Sequence, residues 1–173
     1  VQSLVGSEMC IRDSDKLGGM PVLLRFCHHE GMDQWRTGVA QVKRLKESGR
    51  EVMIAMIQDR RAVKEPESWA EFLKFVVGEV GGLVSQVEIC HAVNRMKWGV
   101  HGPDDQRSLL EPVLELQKRY PEIIFTGPAC IDFEYHYVLS ALESAPEGLC
   151  YGALSHHLYV DRRGAPENFQ GKF

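Results

Sequence analysis

Short apolar runs alternate with longer amphipathic stretches along most of this chain. Five runs rich in aliphatic residues predict buried strands, at 21–27, 51–57, 84–90, 122–126 and 149–154. Between them, apolar residues recur every three or four positions, which predicts helices at 33–48, 66–80, 103–120 and 132–145. We expect Asp33 to cap the first helix, and Pro112 to kink the third or mark its start.

The strict alternation of strands and helices predicts an α/β fold with parallel strands, because parallel neighbours need a crossover between them. An open doubly wound sheet and part of a closed barrel both fit this order. The first strand is followed by His28-His29-Glu30-Gly31 rather than by a glycine-rich phosphate loop, which disfavours a nucleotide-binding sheet. The chain has 173 residues, whereas a complete barrel typically needs about 250. We therefore expect an incomplete TIM (β/α)8 barrel of about five parallel strands alternating with helices.

The first fourteen residues, VQSLVGSEMCIRDS, lack this pattern. They contain no basic stretch followed by a long apolar run, so they do not predict a secretory signal. They resemble translated sequencing-adapter sequence. We expect residues 1–14 to be an artefactual, disordered leader and residues 15–173 to form a single partial barrel domain.

The composition and charge of the chain argue against nucleic-acid binding and membrane insertion. The chain has 20 Lys and Arg against 24 Asp and Glu, a net charge of −4, and lacks the basic stripe typical of nucleic-acid binding. Its apolar runs fall well short of the ~18 residues of a membrane span, so we expect neither a nucleic-acid nor a membrane partner. Five cysteines without a CxxC pair indicate free thiols in a reducing compartment, which leads us to expect a cytoplasmic protein.

Polar and titratable side chains follow nearly every predicted strand. In a parallel barrel the carboxyl ends of the strands meet at one rim, where active sites lie, so these side chains should converge on a small polar ligand. Alternation along the third predicted strand places Glu88, Cys90 and Ala92 on its inward face. Arg25, near the end of the first predicted strand, is a candidate ion-pair partner for Glu88.

Two of these strand ends resemble motifs of clan A glycoside hydrolases. The segment Glu88-Ile-Cys-His-Ala-Val-Asn94, followed by Trp98, is similar to the Glu-Ile-Trp-Asn-Glu-Pro-Asn motif of their fourth strand. The segment Leu154-Ser-His-His-Leu-Tyr159 resembles the Ser-x-His-x-Tyr pattern of their sixth strand. The resemblance would make the five predicted strands the second to the sixth of the barrel.

This resemblance implies a glycoside hydrolase-like protein that binds a carbohydrate or hydrolyses its O-glycosidic bonds. Carbohydrate would then be its substrate or ligand, and no cofactor is expected. Arg25 also stands where these enzymes carry an arginine at the end of their second strand. The matched positions imply a set of substrate-binding residues, which are Arg25, Asn94, Trp98, His157 and Tyr159.

The chain differs from clan A glycoside hydrolases at the positions of the two catalytic carboxylates. The acid/base glutamate of the clan aligns with Ala92, and the asparagine before it aligns with His91. The nucleophile strand would follow Phe173, and retaining glycosidases need both carboxylates about 5 Å apart. We therefore expect this fragment to be inactive by itself. Candidate replacements for the missing proton donor are His91, Asp132 and Glu134.

Two alternatives to hydrolysis remain. A barrel without catalytic residues could serve as a carbohydrate-binding or scaffold protein, and a metal-dependent barrel hydrolase could use the histidines. Neighbouring residues on a strand point to opposite faces, so neither His28-His29 nor His156-His157 is suited to one metal ion. We therefore assign no metal ligand from the sequence, which also indicates no particular oligomeric state.

Overall fold

The computed structural model describes residues 2–4, 19–132 and 134–157 of the chain. The strands are β1 (Gln2–Leu4), β2 (Val22–Cys27), β3 (Val52–Ile57), β4 (Gln86–Ile89), β5 (Ile124–Ile131) and β6 (Ala153–His157). The α-helices are α1 (Met32–Glu47), α2 (Arg60–Lys64), α3 (Pro66–Val80), α4 (Pro103–Arg119) and α5 (Tyr135–Glu143). Short 3₁₀ turns follow β2 and β4, at His28–Glu30 and Met96–Trp98.

The strands form one parallel sheet whose spatial order is the order of the chain, from β1 to β6. A doubly wound sheet would reverse its strand order at a switch point, whereas consecutive parallel neighbours are the arrangement of a barrel wall. The predicted incomplete (β/α) barrel is therefore confirmed. Residues 2–4, within the segment that we expected to be a leader, pair in parallel with the start of β2.

The main core lies between the outer face of the sheet and the helices. Leu24 and Phe26 of β2 and their neighbours on β3 and β4 form one buried cluster with the apolar faces of α1, α3 and α4. Two tryptophans at the centre of this layer also satisfy their indole N–H groups. Trp69 Nε1 donates to Leu109 O at 2.8 Å, and Trp35 Nε1 donates to Cys27 O at 2.9 Å. Burial of one face of the sheet against the helices leaves the other face to form the inside of the barrel.

The inner face holds a much smaller apolar cluster. Leu23, Ala55 and Ile57 are buried there, and Trp98 packs against them. The remainder of this face, toward β4, β5 and β6, carries polar side chains. The inner face is therefore the part of the sheet that can present chemistry to a ligand.

Several predicted boundaries are corrected by the structure. Helix α1 begins at Met32 after Gly31, so Asp33 lies within the first turn and is not the cap. Helix α4 starts at Pro103 and runs through Pro112. Helix α5 begins at Tyr135 rather than at 132, because Asp132 has a left-handed φ of 61° that no helix accommodates.

The last two strands also lie further along the chain than predicted. Strand β5 continues to Ile131 through a bulge between Pro128 and Cys130, and a bulge is where a sheet tolerates proline. Strand β6 begins only at Ala153, opposite Thr126, because Leu149 packs as a loop residue against the main core. His156 and His157 consequently lie within β6 itself rather than after it.

Candidate functional site

One level of the inner face crosses the sheet from β2 to β6. Arg25 of β2 is in register with Ala55 of β3, which is in register with Glu88 of β4. Glu88 is in turn in register with Thr126 of β5, and Thr126 with Ala153 of β6. Residues at one level of parallel strands point to the same side of the sheet. This register therefore places a guanidinium, a carboxylate and a hydroxyl in one row inside the barrel.

A cavity of about 410 Å³ lies over this row. Its walls combine apolar residues near the start of the strands with polar groups nearer their ends. The lining residues are Leu23, Arg25, Met53, Gln86, Glu88, Thr126 and 153–157. We take this cavity, together with His91 and Trp98 at its upper edge, as the candidate site.

Glu88 is the centre of the polar network. Its side chain is almost completely buried, and His157 Nε2 lies 3.0 Å from both carboxylate oxygens. The Ser155 hydroxyl donates a third hydrogen bond to the same carboxylate. Burial by itself would raise the pKa of Glu88, but the hydrogen bonds from His157 and Ser155 outweigh it and lower the pKa below its usual range. Glu88 is therefore a carboxylate at neutral pH and not a proton donor.

His91 lies beside this network because the chain leaves the strand before it. Cys90 adopts a left-handed φ of 67° and Ala92 one of 46°, so the simple alternation of β4 ends at Ile89. The prediction that Cys90 shares the inward face of Glu88 is consequently wrong, because Cys90 is buried in the outer core. Gln58 fixes the turn, since its amide donates to His91 O at 2.8 Å and accepts from His91 N at 2.8 Å.

The imidazole of His91 is held edge-on between two other rings. Its ring centroid lies 4.7 Å from that of Trp98 and 5.1 Å from that of His157. Burial, assisted by the charges of Arg25 and His157, lowers the pKa of His91 to about 4. His91 is therefore neutral at physiological pH, which does not suit the role of general acid that the sequence suggested for it.

Arg25 and Thr126 carry polar atoms for which the described part of the chain offers no hydrogen-bond partner. Among the described residues, Arg25 Nε, Thr126 Oγ1 and His91 Nδ1 are buried and have no hydrogen-bond partner. Buried polar atoms in native proteins are nearly always paired. Arg25 does not pair with Glu88 as the sequence suggested, because His157 and Ser155 occupy that carboxylate.

Three other predicted site residues belong to a separate cluster around Arg95. The Arg95 guanidinium lies 2.6 Å from Asp132 and 2.6 Å from Glu134. Asn94 Nδ2 donates to Ile131 O at 2.9 Å and to Glu134 Oε2 at 3.0 Å, and Asn94 Oδ1 accepts from Ile131 N at 3.0 Å. These side chains tie the loop after β4 to the end of β5. None of the three lines the cavity over Glu88.

The predicted set of site residues is thus divided by the structure. Arg25, His91, Trp98 and His157 are brought together, whereas Asn94, Asp132 and Glu134 are not. Tyr159 lies outside the described residues. The site also includes Thr126 and Ser155. Neither was predicted as a site residue, although Ser155 is the serine of the Ser-x-His-x-Tyr pattern that pointed to His157 and Tyr159.

No family model matches the chain, and no curated protein matches its sequence. Among the described helices, none combines the length and apolar character needed to cross a membrane.

Proposed function

We propose that the cavity on the inner face of the sheet binds a carbohydrate, as part of a glycoside hydrolase-like barrel. One observation supports this most directly. Arg25 Nε and Thr126 Oγ1 are buried without partners among the described residues, and both residues line the cavity beside Glu88. A ligand rich in hydroxyl groups donates and accepts hydrogen bonds at once, so it suits a cavity whose lining offers a guanidinium, a hydroxyl and a carboxylate.

The aromatic surroundings support the same class of ligand. Trp98 packs against the inner apolar cluster, and its ring meets that of His91 edge-on at a centroid distance of 4.7 Å. Aromatic rings with a fixed orientation offer an apolar surface to the C–H face of a sugar, while neighbouring polar groups bind its hydroxyls.

Binding rather than hydrolysis is the function that we assign to this part of the barrel. Glycosidases act with two carboxyl groups, and Glu88 is the only carboxylate that lines the cavity within the described residues. Asp132 and Glu134 are held by Arg95 outside it. Hydrolysis would require a second carboxylate from a part of the protein that the structure does not describe.

The proposal is tested by measuring sugar binding to the whole chain and to two variants. A panel of neutral and acidic glycans is screened by saturation-transfer NMR, and the best ligand is titrated by calorimetry. Thr126→Val keeps the side-chain shape and removes the hydroxyl, while Arg25→Met removes the guanidinium. Arg61→Met is the matched control, because Arg61 is an exposed arginine that pairs with Glu65 one helical turn away and does not line the cavity.

We expect both variants to weaken binding by about tenfold, the effect of one lost hydrogen bond of about 1.4 kcal/mol. Thr126→Val should leave the free energy of unfolding unchanged or raise it, because the hydroxyl has no partner within the described protein. The Arg61 variant should bind like the parent. Absence of binding across the panel, or equal affinity in all variants, would refute the proposal. Release of nitrophenol from aryl glycosides would instead show hydrolysis.

A further inference from the structure

We propose that Glu88, His91 and His157 form a binding site for a divalent transition metal ion of the zinc class. Each of the three side chains offers one ligand atom, and these atoms all lie within 4.8 Å of one another. The inference does not depend on carbohydrate binding, because it concerns an ion that can be tested in the absence of sugar.

The geometry is close to that of a metal site. Two ligands at 2.0–2.1 Å from a tetrahedral ion lie about 3.3 Å apart. His157 Nε2 is already 3.0 Å from both oxygens of Glu88. The ligand atom of His91 lies within 4.8 Å of the other two, so a small rotation of its side chain completes the set. Because metal ligands must be deprotonated at the coordinating atom, binding of the ion would replace the hydrogen bond between His157 and the carboxylate.

The chemistry of the donors selects the class of ion. Two imidazoles and one carboxylate are the protein ligands of catalytic zinc sites and of the facial triad that binds Fe(II). Calcium and magnesium prefer sets of oxygen ligands, and only Glu88 supplies oxygen here. The fourth position would face the cavity that Glu88 and His157 line. A hydroxyl or carboxylate oxygen of a ligand could bind there.

Hydrogen bonds from neighbouring side chains hold the proposed ligands in place, as they do in known metal sites. Ser155 donates to Glu88, and Gln58 clamps the backbone of His91 with two hydrogen bonds of 2.8 Å. Such outer contacts hold ligands in orientation and are required for affinity. His91 is only 3% exposed, and its Nδ1 is buried without a partner within the described part of the chain. An ion ligated by this imidazole would account for that burial.

The experiment uses the full chain, treated with a chelator and then dialysed free of it. Zn²⁺ alone is titrated by calorimetry, and Co²⁺ alone is followed by its visible ligand-field absorption. Glu88→Gln and His157→Gln retain size and hydrogen-bonding capacity while replacing a ligand. His101→Gln is the matched control for an exposed histidine. Cys150→Ser removes the exposed thiol as a competing site.

We expect one Zn²⁺ per chain and a tetrahedral Co²⁺ spectrum, with affinity reduced at least tenfold by either ligand variant and unchanged in both controls. Circular dichroism checks that each variant is folded. Histidine-ring ¹H–¹⁵N spectra of the parent give a readout that needs no variant, because two imidazoles should shift on adding Zn²⁺. No binding, no shift of two histidine rings, or binding that persists in Glu88→Gln and His157→Gln would overturn the inference. Loss of binding in Cys150→Ser would assign the ion to thiols instead.

Discussion

Replacing Asn94 by alanine distinguishes a structural role for this residue from the substrate-binding role that the sequence implied. The Asn94 amide makes three hydrogen bonds of 2.9–3.0 Å. Two of them join the backbone N–H and C=O of Ile131, so the side chain acts as a clamp between the loop after β4 and the end of β5. The third joins Glu134, which is held by Arg95.

The expected loss of unfolding free energy in Asn94→Ala follows from these hydrogen bonds. Each hydrogen bond contributes about 0.5–1.5 kcal/mol net, and a buried group left without its partner costs about 1–3 kcal/mol. Asn94 and Ile131 are both buried, so water does not readily replace the lost amide. We expect Asn94→Ala to lower the free energy of unfolding by about 2–4 kcal/mol. Since Asn94 does not line the cavity over Glu88, sugar affinity of the folded variant should remain within about twofold of the parent, a change of about 0.4 kcal/mol.

Urea unfolding followed by circular dichroism measures the first quantity, and calorimetry in the absence of urea measures the second. An unchanged dependence of the unfolding free energy on urea would indicate that the two-state comparison is sound. Gln34→Ala, which removes an exposed amide from α1, should change stability by no more than about 0.5 kcal/mol. A stable Asn94→Ala protein with tenfold weaker sugar binding would refute the assignment of Asn94 as a clamp.

Three further predictions use features that are independent of Asn94. Since the pKa of His91 is lowered to about 4 from ~6.5 in the unfolded chain, the unfolded state gains its proton first as pH falls. Urea unfolding in EDTA should therefore show roughly 3 kcal/mol lost between pH 6.5 and 4, and a smaller loss in His91→Gln. Gly99→Ala should destabilise by about 2 kcal/mol or more in the same assay, because φ is +93° and the new Cβ would lie 2.4 Å from Arg60 N, whereas Gly102→Ala has open space. A thiol reagent mapped by peptide mass spectrometry should modify exposed Cys150 in the native protein but reach buried Cys90 and Cys130 only after unfolding.

The order of elements could be predicted from the sequence because the outer face of the sheet obeys a simple rule. Every strand from β2 to β5 must cover its outer face with helices, so apolar runs alternate with amphipathic ones. The placement of Glu88 inside the barrel also followed from alternation along β4. These predictions rest on local periodicity, which survives as long as the backbone remains in regular structure.

The site could be predicted only in part because its residues lie where that regularity ends. His91 reaches the inner network through the left-handed turn at Cys90 and Ala92, which an alternating pattern cannot foresee. His157 reaches it because β6 begins four residues later than the apolar run suggested. Asp132 and Glu134 follow β5 as expected, yet Arg95 holds both of them. Sequence position alone could not reveal that pairing.

The unsuitable pairs of adjacent histidines do not rule out a metal site built from separate strands. His156 and His157 do point apart, since His156 contacts Tyr135 and the backbone of Asp132 while His157 contacts Glu88. Adjacent histidines therefore do not share an ion. The candidate ligands instead come from β4, from the turn after it and from β6, and Glu88 and His157 are 69 positions apart in the sequence. Parallel strands bring such distant positions together at one rim, so a spacing motif is neither needed nor expected for a site of this kind.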